Sequence, residues 1–317
     1  MSTIQVINAK HPSSASNNIV LDASGNATFA GTAAMSSSFL RNRIINGGMQ
    51  VWQRGTSFSV TAGTTAYTAD RFSVISIGGT TTASQVAGTG GFQNALRLTG
   101  GSGVTNCFFG QKIESVNAFD LAGGNVTFQI RASASTNRTL LWYARYPNTT
   151  DNYAAVTLIT SGSINITTTP TIYTFTFAVP GAATTGLEVY FETGAFTSGT
   201  IDVTGVQLEV GTAATPFERR QFGQELALCQ RYYRTLYTTL QWQAPGASVL
   251  SQGYTWPEMR SAPTIALTAT VGLRSNVNGS FPAANFINSS SARVEMLSVG
   301  AGDSYDISRL WTLSAEL

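Results

Sequence analysis

The sequence of 317 residues holds one histidine, His11. A Ser–His–Asp triad, a Cys–His dyad and a multi-histidine zinc site each need an imidazole in company, so these chemistries are excluded. Charge is scarce as well. Only 11% of residues are Asp, Glu, Lys or Arg, against ~25% in ordinary soluble domains. Lys and Arg number 18 and Asp and Glu 16, for a net charge of +2. That leaves no basic stripe to neutralise phosphates and argues against a nucleic-acid partner. The lysines are Lys10 and Lys112; every other cation is arginine. Cys107 and Cys229 are too few for a disulfide framework or a metal cluster, and both read as reduced core residues. No run of about 18 apolar residues exists, so membrane insertion is not expected. The opening MSTIQVINAK lacks the basic start and apolar stretch of a signal peptide.

Polarity is carried instead by Thr, Ser, Asn and Gly, while 43% hydrophobic and 10% aromatic residues exclude a disordered chain. Between Ile44 and Glu218 the dominant period is two. TIYTFTFAV puts Tyr173, Phe175, Phe177 and Val179 on one face and Thr174 and Thr176 on the other. LEVYFET sets Leu187, Val189 and Phe191 against Glu188, Tyr190 and Glu192, and NVTFQIRAS repeats the pattern with Val126, Phe128 and Ile130. Such alternation marks strands with one buried and one wet face. Glycine turn signals at short intervals between them imply antiparallel strands in a sandwich or jelly roll.

The expected fold is therefore mainly β. A jelly-roll sandwich covers 44–218, a linking helix 219–237, and a second, small β-sandwich 238–317. The helix is read from QFGQELALCQRYYRTLY, where Phe222, Leu226, Cys229, Tyr233 and Leu236 recur at helical spacing. This stripe needs a partner surface and is expected at an interdomain or intersubunit seam. Residues 1–43 hold short apolar pieces, including NNIVLDASGNATFAG, which reads as strand, turn, strand. A two-stranded unit is marginal alone, so something else must cover it.

Two ordered blocks carry a family resemblance. The first is RNRIINGGMQVWQRGTSF (41–58) with YTADRF (67–72). The second is VQLEVGTAATPFERRQFGQELALCQRYY (206–233), followed by WPEMRSAPTI (256–265) and a closing SAEL. The pattern resembles bacteriophage tail fibres and receptor-binding proteins, in which such blocks open and close a jelly roll similar to carbohydrate-binding modules. The resemblance implies a homotrimer in the virion tail, assembled in the host cytoplasm. It also implies attachment to other tail or baseplate proteins through 1–43 and a grip on a host-surface glycan or protein. A structural calcium is often present in such modules. The match would place Asn46 in the opening segment and Asp202 as the late carboxylate; it supplies only that one carboxylate, and the favoured reading of Asp202 is a solvent-facing residue beside a turn.

Sugar binding calls for aromatic faces and amides or carboxylates. LLWYARYPNTTDNY offers Trp142, Tyr143, Tyr146, Asn148 and Asp151 around a Pro-Asn turn. The competing reading is that Trp142 and its in-phase neighbours fill the sandwich core, and that a glycan would use one concave sheet instead. Hydrolysis needs two carboxylates at a set separation. The pair Glu188 and Glu192 shares a polar face, as on any exposed strand, so no enzyme is expected. Asp70 and Arg71 are read as holding a strand start, and Glu218, Arg219 and Arg220 as tethering the helix. A virion adaptor or capsid decoration protein without receptor contact remains the alternative function.

Overall fold

The computed structural model describes residues 8–9, 13, 19–21, 27–29, 41–270, 274–275, 283–285 and 287–317. The chain divides into two units, 1–39 and 40–317. In the first, β1 (Asn8–Ala9), β2 (Ile19–Leu21) and β3 (Ala27–Phe29) form an antiparallel sheet, with Ile19 opposite Phe29 and Asn8 opposite Val20. The hairpin expected in NNIVLDASGNATFAG is thus present at β2 and β3. His11 and most of the expected attachment segment lie outside the described residues.

The boundary expected after residue 43 moves to 39/40, because residues 41–43 are stitched into the larger unit. The Asn42 side chain accepts from the Ile44 and Leu208 amides and donates to the Val206 carbonyl. The Arg43 amide donates to the Leu208 carbonyl at 2.8 Å.

The second unit begins with β4 (Ser57–Val60), β5 (Thr65–Tyr67), β6 (Ser73–Ile77), β7 (Thr81–Ala87), β8 (Asn94–Thr99) and β9 (Asn106–Ile113). A short helix α1 (Ser115–Ala118) and a 3-10 turn (Phe119–Leu121) precede β10 (Asn125–Ala134), β11 (Arg138–Thr149), β12 (Asn152–Ile166), β13 (Thr171–Ala178), β14 (Leu187–Glu192) and β15 (Thr200–Val210). These strands make two six-stranded antiparallel sheets, one ordered β13-β10-β15-β8-β7-β4 and the other β12-β11-β14-β9-β6-β5. The pairs β5–β6, β7–β8 and β11–β12 are hairpins within one sheet, and the other connections cross between the layers, as in a jelly roll. The inward residues read from the alternation, Val126, Phe128, Ile130, Phe177, Leu187, Val189 and Phe191, lie in one shared core.

Helix α2 (Phe222–Gln230) then leads to the smaller sandwich: β16 (Tyr233–Pro245), β17 (Val249–Thr255), β18 (Thr264–Thr270), β19 (Arg274–Ser275), β20 (Ala283–Asn285), β21 (Ser291–Leu297) and β22 (Ala301–Ser314). One layer is β16-β22-β18 with β19 on β22, the other β17-β21-β20. Trp256, Met259, Val294, Trp311 and Leu313 fill the space between them. The helix expected over 219–237 is shorter than its periodicity implied. At Arg231 and Tyr232 the chain turns, and Tyr233 onward pairs with β22 instead. Among the described residues no helix is long and apolar enough to cross a membrane.

Candidate functional site

The two sequence blocks meet in three dimensions. Asn46, at φ 61°, anchors the opening turn. Its amide oxygen accepts from the Gln50 and Val51 amides, and its amide nitrogen donates to the Val51 and Asp70 carbonyls. Gly47 follows because a Cβ there would lie 2.0 Å from the Val206 carbonyl oxygen. Against this turn packs α2, whose Leu226, Leu228 and Cys229 join Ile45, Val51, Tyr232 and Leu317.

Buried charge reinforces the seam. Arg220 donates to the Ile44 and Asn42 carbonyls and pairs with Glu225, which in turn accepts from the Asn46 amide. Arg71, 1% exposed, pairs with Glu316, donates to the Lys112 carbonyl and stacks 3.6 Å from the Tyr232 ring centroid. Arg54 also pairs with Glu316, at 2.9 Å, and covers the Tyr233 ring. Arg231 holds Glu114, which also accepts from the Tyr232 hydroxyl. Burial pushes the Asp70 carboxyl upward, opposed by hydrogen bonds from Gln53 and the charge of Arg54. Arg219 lies over the Phe92 ring at 4.6 Å.

Of the expected seam residues, Leu226 and Cys229 face this cluster, Tyr233 is covered by Arg54, and Leu236 packs on the core of the small sandwich. Phe222 does not join this cluster within the chain. It stands 57% exposed, because α2 turns Glu225 and Cys229 inward and leaves its first residue outside. Tyr232, fully buried between Arg71 and Glu114, was hidden by reading one continuous helix through 237.

The expected aromatic cluster on β11 is split by the pleat. Trp142 points into the core, 7% exposed and stacked on Phe175 with centroids 3.7 Å apart. Tyr146 also packs against the core. Asn148 accepts from the Thr157 hydroxyl, and Asp151, at the hairpin tip, accepts from the Ser115 amide and hydroxyl beside α1. Trp142 and Tyr146 share the inward face of β11 while Asn148 and Asp151 are tied down near the hairpin end, so the four make no common outward platform. Only Tyr143 faces outward from the sheet beside the groove described next.

Strand register builds that groove on the outer face of the β12-to-β5 sheet. One cross-strand row runs Tyr143–Tyr190–Gly110–Ser73–Tyr67, its neighbours Leu141–Glu192–Phe108–Ile75–Thr65 and Arg145–Glu188–Lys112. Gly110 is required there: a Cβ would come within 2.2 Å of the Val189 carbonyl oxygen and 2.8 Å of Tyr190 Cα. With no side chain in the way, the Tyr190 hydroxyl reaches Ser73 across the row. Tyr153 and Val156 from β12, and Leu317, complete a cavity of about 520 Å³.

The polar face of β14 is therefore sunken rather than wet. Glu188 is 3% exposed and Tyr190 4%. Arg145 Nε lies 2.7 Å from Glu188 Oε1. Lys112 donates to the Leu317 carbonyl at 3.1 Å, and the Tyr67 hydroxyl donates to the same oxygen at 2.7 Å. Burial pushes the Glu188 carboxyl up against the pull of Arg145 and Lys112, and pushes the Lys112 ammonium down against the pull of Glu188. Burial, then the charge of Glu316, pushes Tyr67 up to about 12. Glu192 is held by the Tyr143 hydroxyl and by Asn106. Aromatic rings, a guanidinium and a carboxylate thus line one concave surface.

The residues proposed for calcium do not fit an ion. Every polar atom of the Asn46 side chain is spent on its own turn. Asp202 is gripped through both oxygens by Arg97, at 2.7 Å each. Among the described residues no group of three or more His, Cys, Asp or Glu could hold a metal.

No protein-family model and no curated protein matches the sequence. Several solved structures are similar over about half the chain. The enzymatically active domain of bacteriophage CBA120 tailspike protein 4 matches at 20% identity and TM-score 0.35, over 54% of this chain and 22% of that one. The chain thus spans about a fifth of that tailspike structure. A xylan-binding CBM22-1 domain from Paenibacillus barcinonensis matches at 9% identity and TM-score 0.35, over 55% and 96%. TmCBM61 in complex with β-1,4-galactotriose matches at 9% identity and TM-score 0.34, over 54% and 99%. At such TM-scores any functional conclusion must rest on this chain's own residues.

Proposed function

We propose that the chain is a receptor-binding component of a bacteriophage tail fibre that holds a host-surface glycan in the groove of the β12-to-β5 sheet. The groove itself carries the reading. Its volume suits a small ligand, and it sets the rings of Tyr67, Phe108 and Tyr153 beside the polar pair Arg145 and Glu188. Rings offer faces to the C–H side of a sugar, and the ionic pair offers hydrogen bonds to hydroxyls. The phage setting is supported by the ordered blocks at 41–72 and 206–265 and by the closing SAEL. With it come a homotrimer in the virion tail and attachment to tail or baseplate proteins through 1–43.

Binding without hydrolysis is part of the proposal. A glycosidase needs a carboxylate pair, whereas Glu188 is the one side-chain carboxylate among the described groove-lining residues. Labelled full-length protein should bind host cells, and Thr65→Trp, which plugs the groove from an exposed position, should abolish that binding without lowering the melting temperature. Equal binding by the plugged variant would remove the groove from the reading. Release of oligosaccharide from host polysaccharide would contradict the absence of turnover.

A further inference from the structure

On the glycan reading just given, we infer that Arg145 and Glu188 act together as a donor–acceptor clamp for two neighbouring hydroxyls of an uncharged sugar. The pair is built into the floor by register, with Arg145 directly opposite Glu188 and Glu188 opposite Lys112. Arg145 Nε, 2.7 Å from Glu188 Oε1, is buried and makes no hydrogen bond of good geometry there, so charge joins the pair. Among the described residues Arg145 Nη1 and Nη2 have no hydrogen-bond acceptor, and Glu188 Oε2 has no donor. Glu188 is nevertheless almost fully buried and lines the cavity, so its spare oxygen opens only toward the groove.

Neither the Nη atoms nor Oε2 is among the buried atoms without a partner, so each opens to the groove, where a ligand exchanges water for a better-placed group. Neighbouring ring hydroxyls do so in one step: one accepts from an Nη donor of Arg145 while the other donates to Glu188 Oε2. A ligand carboxylate cannot, because it has no proton for Glu188 and would bring a second negative charge against it. The guanidinium is held in place for this task, with the Tyr190 and Tyr143 ring centroids 5.7 Å and 5.9 Å away. Preorganisation of this kind spares the ordering cost of binding.

The test is calorimetry on the full-length protein with neutral gluco-, galacto- and manno-oligosaccharides, and with periodate-oxidised forms of whichever neutral sugar binds. The expected result is that a neutral member binds, while its oxidised form, which has lost the neighbouring hydroxyls, binds about 10–100-fold more weakly. Glu188→Gln and Arg145→Lys, which keep the shape or charge of the pair, should each lose a similar factor with unchanged melting temperatures. An oxidised form that binds as tightly as the intact sugar would overturn the clamp. So would native affinity in both variants while Thr65→Trp still abolishes binding; that result leaves the groove reading standing. Binding by no sugar would overturn both.

Discussion

Single residues in this protein do their work by leaving room or by balancing charge. Gly110 leaves room. Gly110→Ala must displace Tyr190 or part the neighbouring strands, and should cost about 1–3 kcal/mol as overpacking does. Urea unfolding would read the loss, and the Tyr190–Ser73 contact should break with it. Arg71 balances charge in a site closed to water. Removing one partner of a buried ion pair strands the other, so Arg71→Ala should cost about 3–5 kcal/mol in chemical denaturation. Arg71→Met combined with Glu316→Leu should cost less than Arg71→Ala alone, since both members of the buried pair go together and Arg54 keeps Asp70 at 3.9 Å. A double variant as unstable as the single would show that the seam needs the ions themselves.

At the scale of elements, much was legible and some was not. The alternation in TIYTFTFAV, LEVYFET and NVTFQIRAS located β13, β14 and β10 and named their buried sides correctly. Antiparallel sheets, the β2–β3 hairpin and the helix start near residue 222 were also legible. Three features were not. The length of α2 was overread, because Tyr233 and Leu236 happen to continue the helical spacing after the chain has already turned into β16. The burial of Glu188 and Tyr190 was hidden, because alternation tells which residues share a face and not what stands above that face. Register was hidden too, since the rows that bring Arg145 to Glu188 and Gly110 to Tyr190 join strands far apart in sequence. A cue existed nevertheless: one of only two lysines, Lys112, sits in a strand with Phe108 on the same side. The helix supplies its own check. Leu226→Asp should lose about 2–3 kcal/mol by placing a charge against Ile45 and Val51, while Phe222→Ser should stay within about 0.5 kcal/mol. Equal effects at the two positions would reverse the orientation given to α2.

The whole molecule, residues 40–317, should respond to alkali as a unit. Burial pushes Cys107 up to about 12 from 9.0, and Tyr67 and Tyr232 up to about 12 from 10.0. Each group therefore keeps its proton longer folded than unfolded. The stability this gives is complete below pH 9 and is lost as pH climbs through 12. Melting temperature should fall steeply over that interval, and neither thiol should react with an alkylating reagent at pH 8 until the protein is denatured. A flat profile would mean that these groups ionise without unfolding. The closing segment adds a mechanical side to the same unity. Leu317 receives hydrogen bonds from Tyr67 and Lys112 in the groove wall, directly after Glu316 is clamped by two arginines of the jelly roll and a few residues beyond the pairing of β22. Tension applied to the smaller sandwich would thus be delivered first to the rim of the cavity.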